Sequence, residues 1–123
     1  MIFCEFDEID ARHKYLLEKA KSFGDHLAVV VSQDHILSRL IGKYPKNNFI
    51  ERFESIKGIN FVDKVLIGDY KNLASILIKR ANPDVVVLSR SQDDIKNEIE
   101  KNYEEFSKKI EIKTLELNKL SIF

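Results

Sequence analysis

Asp7, Asp10 and His13 recur every third residue in the stretch Phe6-Asp7-Glu8-Ile9-Asp10-Ala11-Arg12-His13, the densest run of potentially chemical side chains in the sequence. An apolar run, Met1-Ile2-Phe3-Cys4, leads into it, and a helical pattern from Lys14 to Phe23 leads out. A strand that ends in a short polar turn and feeds a helix aims backbone N–H groups and the helix dipole at one point, which makes a seat for an anion. His13, near the helix start, adds a side chain able to donate to a phosphate oxygen or to carry a proton near neutral pH. The stretch therefore reads as a nucleotide-binding turn. Asp10 as the N-cap of the helix explains that acid without any ligand. Asp7, Asp10 and His13 have the donor types of a metal site, but their spacing specifies none, and no metal site is predicted.

The other candidates are more scattered. Arg39, Lys43 and Lys46 form a local basic cluster around a Pro-containing loop, Lys43-Tyr44-Pro45-Lys46-Asn47-Asn48. Arg52 is expected on the exposed side of an otherwise apolar helix, within reach of Glu51, Glu54 or Asp63. Ser89-Arg90-Ser91-Gln92 is a polar loop that follows an apolar run. His26 and His35 are assigned to the surface. Cys4 sits in a buried-strand pattern and reads as a packed, inert thiol. There is no Gly-Lys-Ser/Thr phosphate loop, no dinucleotide glycine fingerprint, no Cys/His zinc spacing and no serine elbow.

The elements that must position these groups follow from periodicity. Apolar strands are expected at 1–6, 26–31, 61–67, 84–88 and 110–117. Helices are expected at 11–23, 33–40 (capped by Ser32), 49–57 (capped by Asn48), 70–81 and 93–109. Gly24, Gly42, Gly58 and Pro83 supply stops. Short β-branched runs such as Val29-Val30-Val31 suit strands buried on both faces, and their alternation with helices means a parallel sheet wrapped on both sides. The fold class is α/β: a Rossmann-like three-layer α/β/α sandwich with a mostly parallel five-stranded sheet, in one domain over residues 1–123. Ligands of such folds sit off the C-terminal strand ends, where strand order reverses. The loops after Phe6, Val31, Ile67 and Leu88 are the candidates.

Composition narrows the partners. The 123 residues are 44% hydrophobic, enough for a real core. Twenty Lys plus Arg balance twenty Asp plus Glu, so global charge steers the chain towards neither nucleic acid nor an acidic membrane. One cysteine rules out an intramolecular disulfide and agrees with a reducing compartment. With no span-length apolar run and no leader pattern, a cytoplasmic location is expected.

Several separated motifs resemble the cytidylyltransferase-like nucleotidyltransferases. They are Phe6-Asp7 with His13 six residues on, Ala20-Lys21-Ser22-Phe23-Gly24-Asp25, Val31-Ser32-Gln33-Asp34, Gly42-Lys43-Tyr44-Pro45, Glu51-Arg52, and Val62-Asp63-Lys64-Val65-Leu66-Ile67-Gly68. Their order looks most like the archaeal FAD synthases, which are FMN adenylyltransferases, and covers roughly the first 90 residues. The resemblance implies attack by an acceptor phosphate on the α-phosphorus of ATP or CTP, with loss of pyrophosphate and help from magnesium. It implies catalytic roles for His13, matching the second signature histidine, and Lys43. It implies nucleotide contacts from Phe6, Asp7, Asp10, Arg12, Arg52, Ser89 and Gln92. A nucleoside triphosphate and a small phosphorylated acceptor, FMN first among them, are the implied partners, and a homodimer is common in such families.

The departures from the family pattern are as informative. Cys4-Glu5 stands where the signature has Gly-Thr, Asp10 replaces its first histidine, and Arg12 replaces the glycine before its second. The family's C-terminal Ser/Thr-rich motif has no counterpart in the sequence. Loss of one oxyanion-type donor costs on the order of 10²–10³ in rate. Two readings therefore stand side by side: a nucleotidyltransferase, and a catalytically degenerate relative that binds nucleotide or serves as an interaction module.

Overall fold

Val29, Val30 and Val31 put apolar side chains on both sides of one strand, and the fold covers both sides. The computed structural model describes residues 1–5, 7–68 and 74–115. Five strands, β1 (Ile2–Cys4), β2 (Ala28–Ser32), β3 (Lys64–Gly68), β4 (Val85–Leu88) and β5 (Glu111–Thr114), form one sheet in the order β3-β2-β1-β4-β5. Every neighbouring pair is parallel, so the sheet is fully rather than mostly parallel. The helices are α1 (Ala11–Lys21), α2 (Asp34–Ile41), α3 (Phe49–Lys57), α4 (Ala74–Ala81) and α5 (Asp93–Lys101).

The pleat sorts the core into two halves. Ile2, Cys4, Val29 and Val31 pack on one face with Leu16, Leu17 and Ala20 of α1 and Ile56 of α3. Phe3, Val30, Val86 and Leu88 pack on the other with Ala74 and Ile78 of α4 and Ile95 and Ile99 of α5. α1 and α3 thus cover one face, and α4 and α5 the other. Burying a Leu or Ile side chain contributes about 1.5–3 kcal/mol, so these two layers hold the sheet together. Cys4 is buried among them and its thiol is pushed up, first by burial, well beyond the neutral range. It is the inert thiol expected from its pattern.

Local chemistry moved several boundaries. The third strand begins at Lys64 rather than Phe61 because residues 59–62 close their own turn, Val62 N–H donating to Ile59 O at 3.0 Å. Asp63 then ties the strand start down, accepting from Leu27 N at 2.7 Å and from Lys21 Nζ at 2.5 Å. The last long helix stops at Lys101, and Asn102 caps it, its backbone N–H and its side-chain amide both donating to Glu98 O, at 3.2 and 2.8 Å. Tyr103–Glu105 continues as a 3₁₀ turn, with Tyr103 and Phe106 still packed on the core. Ser32 stays in the sheet opposite Gly68, and Gln33 is the N-cap of α2. The expected helix residues 70–73, Phe6, and the expected strand and tail residues beyond 115 lie outside the described residues.

Two special backbone positions close helices. Gly42 ends α2 at φ +75°, a conformation open to glycine at little cost, and Asn82 follows α4 at φ +48° just before Pro83. Gly68 matters for space instead: a Cβ there would meet Val30 Cγ1 at 3.0 Å.

Candidate functional site

Strand order reverses between β1 and β4, because the chain leaves β1 towards one face and β4 towards the other. That is where an open parallel sheet forms its ligand crevice. The two strands separate early. Val87 N–H donates to Met1 O at 2.8 Å, and Ile2 pairs with Val87. Beyond that pair, Ser89 N–H donates to Gln92 Oε1 at 3.1 Å, while Gln92 Nε2 donates to Phe3 O at 3.0 Å. The side-chain amide stands between the strands in place of a direct rung. Gln92 is fully buried, and Ser89 Oγ pairs with Ser91 Oγ at 2.7 Å. Gln92 also donates to Glu5, whose carboxyl is pushed up by burial and, secondarily, by the charge of Asp94.

On the other side of the crevice, Asp10 caps α1. Its Oδ1 accepts from Arg12 N at 2.9 Å and His13 N at 3.3 Å, and its own N–H donates to His13 Nδ1 at 3.0 Å. His13 is the third residue of the helix, so the pair is a capping box with histidine in the place of the usual Glu or Gln. Since Nδ1 accepts that N–H, it carries no proton, and the neutral ring keeps its proton on Nε2. The 3.2 Å approach of Nδ1 to Asp10 Oδ1 is therefore not an ion pair. His13 is buried at 6% exposure.

Arg12 folds back on the same acid, with Nη2 2.7 Å and Nε 3.2 Å from Asp10 Oδ2. The Arg12 guanidinium, with the backbone donors behind it, holds the Asp10 carboxyl well below its usual range, and Asp10 in turn raises Arg12. The first turn of α1 thus already serves an anion, the carboxylate of its own N-cap.

The basic loop is stitched to this turn by Asp7, which accepts from Lys46 N at 2.6 Å and Asn47 N at 2.9 Å. Asn47 O accepts from Arg52 Nε at 3.1 Å, and Arg52 Nη2 donates to Asp34 Oδ1 at 2.8 Å. Arg52 is only 2% exposed. This corrects the expectation of a solvent-facing arginine paired with Glu51, Glu54 or Asp63: an otherwise apolar helix face buries it, and burial demands a specific carboxylate, which Asp34 at the start of α2 supplies. Lys43 is exposed on the loop, and Lys46 Nζ lies 3.5 Å from Glu8. His26 and His35 are exposed.

The structure thus gathers Asp7, Asp10, Arg12 and His13 with the loop of Lys43 at one end of the sheet. Ser89 and Gln92 lie across the switch point. Arg52 and Gln92 are committed to the fold itself. Four residues outside the predicted candidate set shape the site. Asp34 and Asn47 hold Arg52, and Glu5 and Asp94 face the crevice. Glu5 had a signal, being an acid directly after the central strand. Asp34 had none, since its partner lies 18 positions away in sequence.

A fully parallel sheet in this order, with helices on both faces, defines a Rossmann-like α/β domain. Residues 2–121 match the Cytidylyltransferase-like family, and the chain belongs to it. The chain is 41% identical over 88 residues to an FAD synthase of Pyrococcus horikoshii, covering 72% of this chain and 60% of that protein. It is 32% identical over 101 residues to an FAD synthase of Thermococcus kodakarensis, covering 79% and 68%. With an FAD synthase of Methanohalobium evestigatum it shares 29% over 116 residues, covering 94% and 74%. The chain thus spans about three fifths of the length of the Pyrococcus relative, at 60%. A lipopolysaccharide core biosynthesis protein from Thermoplasma volcanium superposes with a TM-score of 0.79 over 94% of this chain and 93% of its own, at 24% identity, which establishes the shared fold. Among the described residues no helix is long and apolar enough to cross a membrane.

Proposed function

We propose that this chain binds a nucleoside triphosphate across the first turn of α1 and transfers its nucleotidyl group to a phosphate-bearing small molecule. An oxygen of the acceptor phosphate forms a bond to the α-phosphorus, the bond from that phosphorus to the bridging oxygen breaks, and pyrophosphate leaves. The observation that carries this reading is the place of His13: the capping box holds its Nδ1 against the backbone in the first turn of α1, on the helix that follows the central strand. Such a group stabilises charge on the phosphates without needing to change its protonation. Lys43 adds a cation from the loop that Asp7 anchors. Among the described residues no three His, Cys, Asp or Glu side chains converge to hold a metal. Magnesium carried in on the nucleotide phosphates would neutralise their charge. FMN is the first acceptor to test, because the relatives are named FAD synthases.

A second reading is favoured by one specific arrangement. Asp10 and Arg12 neutralise each other, and Asp10 takes the backbone donors that a phosphate would use. On this reading the chain binds nucleotide weakly and does not turn it over. Calorimetry with ATP and with CTP in magnesium, beside a pyrophosphate-release assay with FMN, separates the two. Turnover that His13→Ala lowers at least a hundredfold, with the fold intact by circular dichroism, supports transfer. Binding without release supports the second reading, and absence of binding to either nucleotide removes the first.

A further inference from the structure

Two Arg–Asp pairs of nearly equal length have opposite surroundings. Arg52 Nη2 lies 2.8 Å from Asp34 Oδ1 with the arginine side chain 2% exposed, whereas Arg12 Nη2 lies 2.7 Å from Asp10 Oδ2 with the two side chains 51% and 45% exposed. The first pair belongs to the interior. The second stands in water, where an ion pair adds little to stability and changes partner cheaply. Asp10 also divides its work between two oxygens. Oδ1 accepts from the backbone N–H groups of Arg12 and His13, at 2.9 and 3.3 Å, and makes the helix cap. Oδ2 accepts from the Arg12 side chain, from Nη2 at 2.7 Å and Nε at 3.2 Å, with Nε 3.4 Å from Oδ1. Arg12 can therefore let go while α1 keeps its cap.

We propose that Arg12 is a phosphate contact of this chain and that Asp10 is its exchangeable place-holder: on binding, phosphate oxygens replace Asp10 Oδ2 in the Arg12 fork, while Asp10 Oδ1 stays on the helix cap. The proposal rests on the nucleotidyl-transfer reading for the identity of the ligand. It goes further in naming a cation that meets the phosphates and what that cation must first release. Arg12 lies in the first turn of α1, where a cation opposes the helix dipole and an anionic partner relieves it. A planar guanidinium fork fits a phosphate as it fits a carboxylate. Asp10 stays ionised through the neutral range, its carboxyl held low first by Arg12, so a rival anion and not mild acid opens the pair. The pair that closes the site to weak anions is then the latch that a polyphosphate lifts.

Calorimetry with inorganic tripolyphosphate and with ATP, on the parent, Arg12→Met, Asp10→Asn and the double variant, tests the assignment. Asn caps a helix about as well as Asp but offers Arg12 no charge, so Asp10→Asn frees the fork and keeps the cap. It is expected to tighten tripolyphosphate binding about threefold. Arg12→Met is expected to weaken that binding about tenfold, the loss of a charge-assisted hydrogen bond, and to do so in the Asp10→Asn background as well. That last comparison decides between two roles. If Arg12 merely masks the Asp10 charge, Arg12→Met has no effect once Asp10 is Asn, and the proposal is overturned. Tripolyphosphate that binds neither the parent nor Asp10→Asn overturns it too. ATP judges the underlying reading separately. A chain that holds tripolyphosphate through Arg12 but not ATP keeps the place-holder and loses nucleotidyl transfer. ATP held equally with and without Arg12 does the reverse.

Discussion

Asp34→Asn is expected to cost more stability than removing the arginine it serves. Arg52 is 2% exposed and its ion pair with Asp34 is 2.8 Å long, while the Asp34 side chain is 24% exposed. Breaking a buried pair by removing one partner costs about 3–5 kcal/mol, because the other charge stays buried without compensation. The partial access of water to Asp34 discounts this to about 2–3 kcal/mol. For a chain of this size that corresponds to a fall in Tm of about 10 °C. Arg52→Met removes the buried charge and keeps the bulk. It leaves Asp34 near the start of α2, where water and the helix dipole accommodate the carboxylate. Its cost is expected to be about 1 kcal/mol smaller, and the double variant no less stable than Arg52→Met alone. Urea unfolding read through both midpoint and m-value supplies all three numbers. Additive losses in the double variant, or an Asp34→Asn within about 0.5 kcal/mol of the parent, would refute the buried-pair account. If Arg52 is a strut and not a ligand, folded Arg52→Met keeps its ATP affinity within about threefold, under 1 kcal/mol.

Other outcomes follow from the same geometry. Asp10→Ala is expected to lower stability as a lost N-cap, measured by urea unfolding. By releasing Arg12 and the first-turn N–H groups it should also tighten triphosphate binding in calorimetry; unchanged affinity would show that the Asp10 carboxylate does not occupy the anion seat. Because the folded pKa of Glu5 is raised above its ordinary 4.5, the fold binds a proton more readily than the unfolded chain does. Stability therefore declines as pH rises from 4.5 through that raised value, and Glu5→Gln should flatten this part of the pH–stability curve. Gln92→Leu leaves Phe3 O and Ser89 N–H unpaired in the interior and should cost about 2 kcal/mol, with faster amide exchange at Ser89 as the local readout.

The layered architecture was legible because strands buried on both faces have an unmistakable apolar signature and because glycine and proline mark the helix ends. Val29 to Val31, Gly42 and Asn48 behaved as their local chemistry dictates. What escaped the sequence was contingent on distant partners. Nothing near Asn102 announces that α5 will end there, and Arg52 looks solvent-facing until Asp34 and Asn47 arrive from elsewhere in the chain. His13 was legible as a candidate by its place after the first strand. Its tautomer was not, since that depends on a backbone N–H that only the capping box brings to Nδ1. Glu5 and Asp94 lie on elements read separately, so no pattern in either one reveals that they share a cleft.

The thin contact between β1 and β4 has a dynamic consequence. β2 and β3 are joined by five registered pairs and β4 and β5 by four, whereas Ile2 with Val87 is the registered pair between β1 and β4 among the described residues. The sheet is two well-sewn panels meeting at one loose seam, with the Gln92 amide as its clasp. Native proteins open along such boundaries in cooperative units well below their global unfolding free energy. The panel of β4, α5 and β5 should therefore breathe against the panel of β1, β2 and β3, with slow-exchanging amides divided along that line. The crevice that would hold a ligand is the same line, so an occupant touching both panels would quiet this motion by bridging them.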